Sequence, residues 1–74
     1  MNKIEVRLET QTDIKDFVGI ATTIPNAVFL EDGTHYRADA KSMMGVMYGS
    51  FEFKHLYVLS DYEHLETKFS KFIV

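Results

Sequence analysis

Seventy-four residues make one small domain, and a chain this short buries only about 60% of the surface its unfolded form exposes. It has no cysteine, which excludes disulfides and thiolate metal sites and makes a reducing cytoplasm the expected setting. Eleven acidic against eight basic residues give a net charge of −3, with Lys41, Lys54, Lys68 and Lys71 scattered rather than gathered in a stripe, so nucleic acid is not an expected partner.

Residues 3–9 alternate strictly. Ile4, Val6 and Leu8 share one side and Lys3, Glu5, Arg7 and Glu9 the other, the pattern of a strand buried on one face and wet on the other. The same alternation is expected to keep this start from serving as the core of a signal peptide, and no apolar run reaches the roughly 20 residues a membrane span needs. After Thr10-Gln11-Thr12, which are cap-forming types, the period changes. Ile14, Phe17, Val18, Ala21 and Ile24 predict an amphipathic helix from Asp13 that Pro25 stops.

Asn26 to Glu31 reads as a second strand. Asp32-Gly33 then signals a tight hairpin, and Thr34 to Ala38 returns antiparallel with Tyr36, Ala38 and Ala40 on one face. Ser42 opens a helix of about two turns, expected to stop near Gly49. Phe51 and Phe53 fall in an irregular stretch, and Leu56-Tyr57-Val58-Leu59 is the fourth strand. Ser60-Asp61-Tyr62-Glu63 has the spacing of a capping box before a last helix burying Leu65, Phe69, Phe72 and Ile73. The order is βαββαβα, an α+β arrangement with helices on one face of an antiparallel or mixed sheet.

Chemistry-bearing residues are sparse. His35, His55 and His64 follow no metal or catalytic spacing, so no metal or cofactor is expected. Asp13/Asp16 and Glu63/Glu66 sit at i, i+3, but early-turn placement accounts for both pairs and no general acid–base pair is read from them. There is no Gly-rich phosphate loop. What remains is Lys41-Ser42-Met43-Met44-Gly45-Val46-Met47, a hydroxyl at the start of a helix beside three methionines, a polarizable and adaptable surface.

That segment, the Phe17-Val18 pair, the Asp32-Gly33 hairpin and the element order resemble HPr, the small phosphocarrier of the bacterial sugar phosphotransferase system. Lys41 to Met47 matches the Lys-Ser-Ile-Met-Gly-Val-Met run around the regulatory serine of Gram-positive HPr at six of seven positions. The resemblance implies a four-stranded antiparallel sheet with three helices on one face, an open-faced sandwich over residues 1–74. It also implies a cytoplasmic protein that is not an enzyme. Ser42 would be the regulatory phosphorylation site, and Lys41, Met43, Met44 and Met47 the partner-binding surface. The partners implied are HPr kinase/phosphorylase and a transcriptional regulator or phosphotransferase component.

The phosphocarrier motif of that family, His-Thr-Arg-Pro-Ala-Ala, is not matched. Aligned on Phe17-Val18, Thr10 stands where the relay histidine would be, Thr12 where its arginine would be, and Asp13 where the proline would be. A threonine phosphoester is far less labile than a phosphohistidine, so Thr10 cannot act as a shuttle. The expected function is therefore a regulatory or interaction module working through Ser42 and its methionines. Two readings compete with it: a structural domain that keeps the fold and self-associates, with Phe51, Phe53 and the methionines as contact, and a phosphocarrier using a non-standard histidine.

Overall fold

The computed structural model describes every residue from Met1 to Val74. Strand β1 (Asn2–Val6) is followed by helix α1 (Gln11–Thr22), strands β2 (Val28–Glu31) and β3 (Arg37–Asp39), helix α2 (Met43–Glu52), strand β4 (Leu56–Ser60) and a short helix α3 (Leu65–Lys68) that runs into a 3₁₀ turn, Ser70–Phe72. The sheet order is β1-β4-β2-β3, and every pairing is antiparallel. This is the four-stranded antiparallel sheet with three helices that the resemblance implies, and it settles the antiparallel or mixed arrangement the element order left open.

Register explains how two faces of one sheet differ. Ile4, Val58, Leu30 and Ala38 lie in one row across the four strands. With Val6, Leu56 and Val28 they face the helices, which contribute Ile14, Phe17, Val18 and Ala21 from α1, Val46 from α2, and Leu65, Phe69 and Phe72 from the C-terminal segment. Phe17 is fully buried at the centre, its ring 4.8 Å from Phe69 and 5.7 Å from Phe72. The opposite face presents Phe29, Tyr57 and Leu59, and its charges roof these rings. Lys3 stands 4.7 Å from the Tyr57 ring centre and Arg37 4.9 Å from that of Phe29, while Glu31 accepts from Arg37 Nη2 at 2.9 Å and pairs with Lys3 at 3.7 Å. Leu59 is buried beneath this layer, so the second face is not simply wet.

Several boundaries depart from the sequence reading, each for a local reason. Strand β1 ends at Val6 rather than Glu9, although Leu8 stays buried as its parity predicts. The C-terminal tail takes over there: Arg7 N–H donates to Phe72 O at 2.8 Å and Val74 N–H to Glu5 O at 3.2 Å. Helix α1 begins at Gln11, with Thr10 as its N-cap, and stops at Thr22, two residues before Ile24. The Thr22 and Thr23 hydroxyls donate to the Gly19 and Ile20 carbonyls at 2.7 and 2.6 Å, closing the helix before Pro25 is reached.

Asp32-Gly33 does reverse the chain, but not as a two-residue turn. Only Gly33 takes a positive φ, +92°, and the Asp32 carboxylate gathers the Thr34, His35 and Tyr36 amides and the Thr34 hydroxyl into a wider loop. Those bonds, the Thr34 hydroxyl foremost, hold the Asp32 carboxyl far below its ordinary pKa. Strand β3 consequently starts at Arg37 rather than Thr34. Ser60 does not cap the last helix. It closes β4, fully buried, donating to Ala27 O at 2.7 Å and accepting from Tyr62 N–H at 3.2 Å. Helix α3 then starts after His64 with no side-chain cap, so Glu63 lies outside it, and Ile73 is exposed although its backbone bridges Val6.

The largest departure is Gly49. It does not end α2, which continues to Glu52. Gly45 and Gly49 face the sheet one turn apart, where an added Cβ would come within 2.9 Å of Ala38 Cβ and 3.0 Å of the Tyr36 ring. Both glycines thus permit close approach of a helix to a sheet rather than an unusual φ. Gly19, on the exposed side of α1, has nothing within 4 Å of the same construction. Gly45→Ala should therefore destabilise the fold by about 1–3 kcal/mol through overpacking despite the better helix propensity of alanine. Gly19→Ala should stabilise it by about 0.5–1 kcal/mol. Urea midpoints of the two variants against the parent measure this opposition.

Candidate functional site

Helices α1 and α2 each begin at a hydroxyl-bearing N-cap, and an open groove is shared between them. At the first, Thr10 Oγ1 accepts from Asp13 N–H at 3.0 Å, and Asp13 Oδ2 accepts from the Glu9 and Thr10 amides at 2.9 and 3.2 Å. This reciprocal cap is written in the sequence as Thr-x-x-Asp. The amide bonds, that from Glu9 foremost, lower the pKa of the Asp13 carboxyl. Thr12 is exposed in the first turn of the helix. The N-terminus of α1 is therefore occupied by the chain's own negative charge.

At the second, Ser42 is the N-cap of α2: its Oγ accepts from Gly45 N–H at 3.3 Å, and its carbonyl accepts from Val46 N–H at 3.1 Å. The side chain is exposed, and the first turn of α2 carries no acidic residue. Lys41, immediately before it, is half-buried, and its ammonium donates to Ile24 O at 2.7 Å beyond the end of α1. That bond ties α2 to α1 and turns the Lys41 charge to the Ile24 carbonyl.

Between α1 and α2 runs an open groove of about 260 Å³, lined by Gln11, Ile14 and Lys15 of α1 and Met43 and Met47 of α2. Its floor is apolar and its α1 rim carries an amide and an ammonium, which suits an apolar anchor flanked by hydrogen-bond acceptors. Met47 packs against the core, Met43 is 39% exposed and Met44 82% exposed. The methionines therefore differ in role: Met47 seats the helix, Met43 walls the groove, and Met44 stands in solvent.

Because α2 extends to Glu52, the apolar surface is longer than the methionines alone. Tyr48 (52% exposed) and Phe51 (72% exposed) continue Met44 at i+4 and i+7. Tyr48 also joins a ring cluster with Tyr36 and Phe53, at 5.3 and 6.4 Å. Tyr36 stacks on Phe53 at 5.2 Å and donates its hydroxyl to the Gly45 carbonyl. Its phenol pKa is raised, first by burial and then by Tyr48. Reading Gly49 as a stop hid this stripe, although the 44, 48, 51 spacing was present in the sequence.

The remaining candidates are dispersed. His35 meets Thr34 Oγ1 at 3.1 Å in the Asp32 loop, His55 meets Glu5 at 2.9 Å, and His64 sets its ring edge-on to Tyr62; all three are exposed. Asp16 pairs with Lys71 at 2.7 Å rather than with Asp13. No group of three histidine or carboxylate side chains is placed to hold a metal ion, and no helix is long and apolar enough to cross a membrane.

No protein-family model and no curated protein matches the chain. Among solved structures it is similar to HPr-C-His from Thermoanaerobacter tengcongensis, with a TM-score of 0.71 over 95% of this chain and 84% of that one, at 17% identity. The fold is HPr-like. At that identity the likeness concerns the backbone alone.

The two caps predict different responses. The Asp13 carboxyl, with its folded pKa lowered, contributes stability that is full above about pH 4, where the unfolded side chain is ionised, and is lost as pH falls through the folded value. Asp13→Asn should be less stable than the parent at pH 7 and lose less on acidification, as followed by urea midpoints from pH 7 to 2. Ser42→Ala should cost about 1 kcal/mol as a lost N-cap, whereas Ser42→Asp should retain or improve stability, because aspartate caps equally well and suits the helix dipole.

Proposed function

We propose that this protein is an HPr-like regulatory and protein-interaction module of the phosphotransferase system that has lost the relay histidine and works through Ser42 and the surface of Met43, Met44 and Met47. The observation that carries the reading is an exposed Ser42 capping α2 beside the apolar groove, on an HPr-like backbone whose other helix terminus is closed by Thr10 and Asp13. It is a substrate and ligand of other proteins rather than an enzyme. Its partners would be HPr kinase/phosphorylase and a transcriptional regulator or phosphotransferase component.

The chemistry proposed is transfer of the γ-phosphoryl group of ATP to Ser42 Oγ. The new O–P bond replaces the bond to ADP, which leaves, and the hydroxyl proton passes to a base on the kinase. The product carries about two negative charges at the α2 N-terminus, where free amides and the helix dipole favour them. Lys41 could pair with this phosphate only if its ammonium left the Ile24 carbonyl. The absence of a relay rests on Thr10 and on Asp13, whose carboxylate would repel a phosphate at the same amides.

Incubation with HPr kinase and ATP should place one phosphate on the chain, and Ser42→Ala should abolish it. An unmodified parent chain would remove the kinase-linked reading. Incubation with phosphoenolpyruvate and the first enzyme of the phosphotransferase system should leave no acid-labile phosphate. Finding one would restore a histidine relay.

A further inference from the structure

We infer that the trough between α1 and the C-terminal segment is a docking site for an acidic, extended segment of a partner protein. Ser42 takes no part in it, so it goes beyond the phosphorylation reading and does not depend on it. Lysines far apart in the sequence are gathered here by the fold. Lys15 of α1 and Lys68 and Lys71 of the C-terminal segment line one open cleft of about 500 Å³, with Asp16 as its one carboxylate. The lining thus carries a net charge of +2 on a chain of −3. Its donors are positioned but not used up. Lys71 reaches Asp16 at 2.7 Å, and half-buried Lys68 donates to the Thr23 hydroxyl at 3.2 Å. No carboxylate lies within 4 Å of the Lys68 or Lys15 ammonium. Each ammonium carries three N–H donors, so most remain free, and like charges sharing one cleft gain from an anion between them.

The course of the chain sets the shape of the trough. As the C-terminal segment advances from Lys68 to Lys71, its partner on α1 steps back from Thr23 to Asp16, so the two run antiparallel. That stretch of α1 spans about 10 Å, with Lys68 at one end and Lys71 and Lys15 at the other. Between them Gly19 is exposed, and a Cβ there would meet nothing within 4 Å, which leaves the floor open. A lone phosphate would reach the ammoniums at one end only. An extended chain covers the length in about three residues and brings carboxylates to both ends, so an acidic peptide matches both the charge and the shape. Nucleic acid fits poorly, because the chain as a whole is negative.

A short oligoglutamate peptide titrated into the full chain should shift the amide resonances of Gly19, Thr23, Lys68 and Lys71, with a dissociation constant of about a millimolar at low salt. Raising salt from about 0.01 to 0.15 M should weaken binding about tenfold. Gly19→Glu sets a carboxylate on the exposed floor and should weaken it about tenfold or more, whereas Gly19→Gln, of similar size without the charge, should bind as the parent does. Lys68→Gln should weaken it as well, and the circular dichroism of each variant should match the parent. The proposal is overturned by the lack of a saturable shift, by shifts centred on other lysines, or by Gly19→Glu binding as tightly as Gly19→Gln. Equal shifts from inorganic phosphate, which mark a small-anion site, or tighter binding of a single-stranded oligonucleotide overturn it too. None of these results bears on kinase modification of Ser42, and loss of that modification leaves peptide binding in place.

Discussion

The contact on which the rest depends is the seating of α2 against β2 and β3 through Gly45 and Gly49. With hydrogens in place of side chains at these positions, the helix backbone meets Ala38, Tyr36 and Leu30 directly. The Tyr36 hydroxyl reaches the Gly45 carbonyl across the same seam, and Val46 drives into the core between the two glycines. A helix held this closely needs few of its residues for the core. That is why an apolar segment of ten residues buries only Val46 and Gly49 fully and leaves Met44, Tyr48 and Phe51 in water. The exposed ridge is the geometrical complement of the glycine face.

The other half of the core follows a different rule. Phe17, Phe69 and Phe72 fill the space between α1, the C-terminal segment and the sheet with aromatic volume, and α3 is too short to be stable on propensity alone. It is held instead by burial of Leu65 and Phe69 and by the tail's backbone bonds to the free edge of β1. Covering that edge also removes unpaired strand groups that would invite pairing with another chain. β3, at the opposite edge, is only three residues long and lies beside the polar Asp32 loop.

Periodicity made the architecture legible, and competition between local signals made the boundaries illegible. The parity of Ile4, Val6 and Leu8 and the helical spacing of Ile14, Phe17, Val18 and Ala21 survive folding because burial dictates them. Glycine and serine mislead because their roles are decided by what lies opposite. Gly49 resembles a helix stop until the sheet beneath it is known, and Ser60 resembles a cap until the Ala27 carbonyl claims its hydroxyl. Asp32 could have formed a two-residue turn, but three amides and a hydroxyl within reach of its carboxylate draw it into a larger loop. At the site, Ser42 and the methionines were readable from the chain. Lys41's bond to Ile24 was not, because it joins residues 17 apart.

The starts of α1 and α2 show how one device can be closed or left open by a single choice of cap. Both helices start with a hydroxyl accepting from the third amide of the first turn, Thr10 from Asp13 and Ser42 from Gly45. At α1 the third residue is an aspartate, so the cap is completed by a carboxylate that takes the flanking amides and fills the positive end of the dipole. At α2 the third residue is Gly45, required by the approach to Ala38, and glycine can return no side chain to the cap. The packing constraint that seats α2 therefore also leaves its N-terminus without an internal negative charge. A group bringing negative charge to Ser42 meets amides and a dipole still unoccupied, whereas the same group at Thr10 meets Asp13 first.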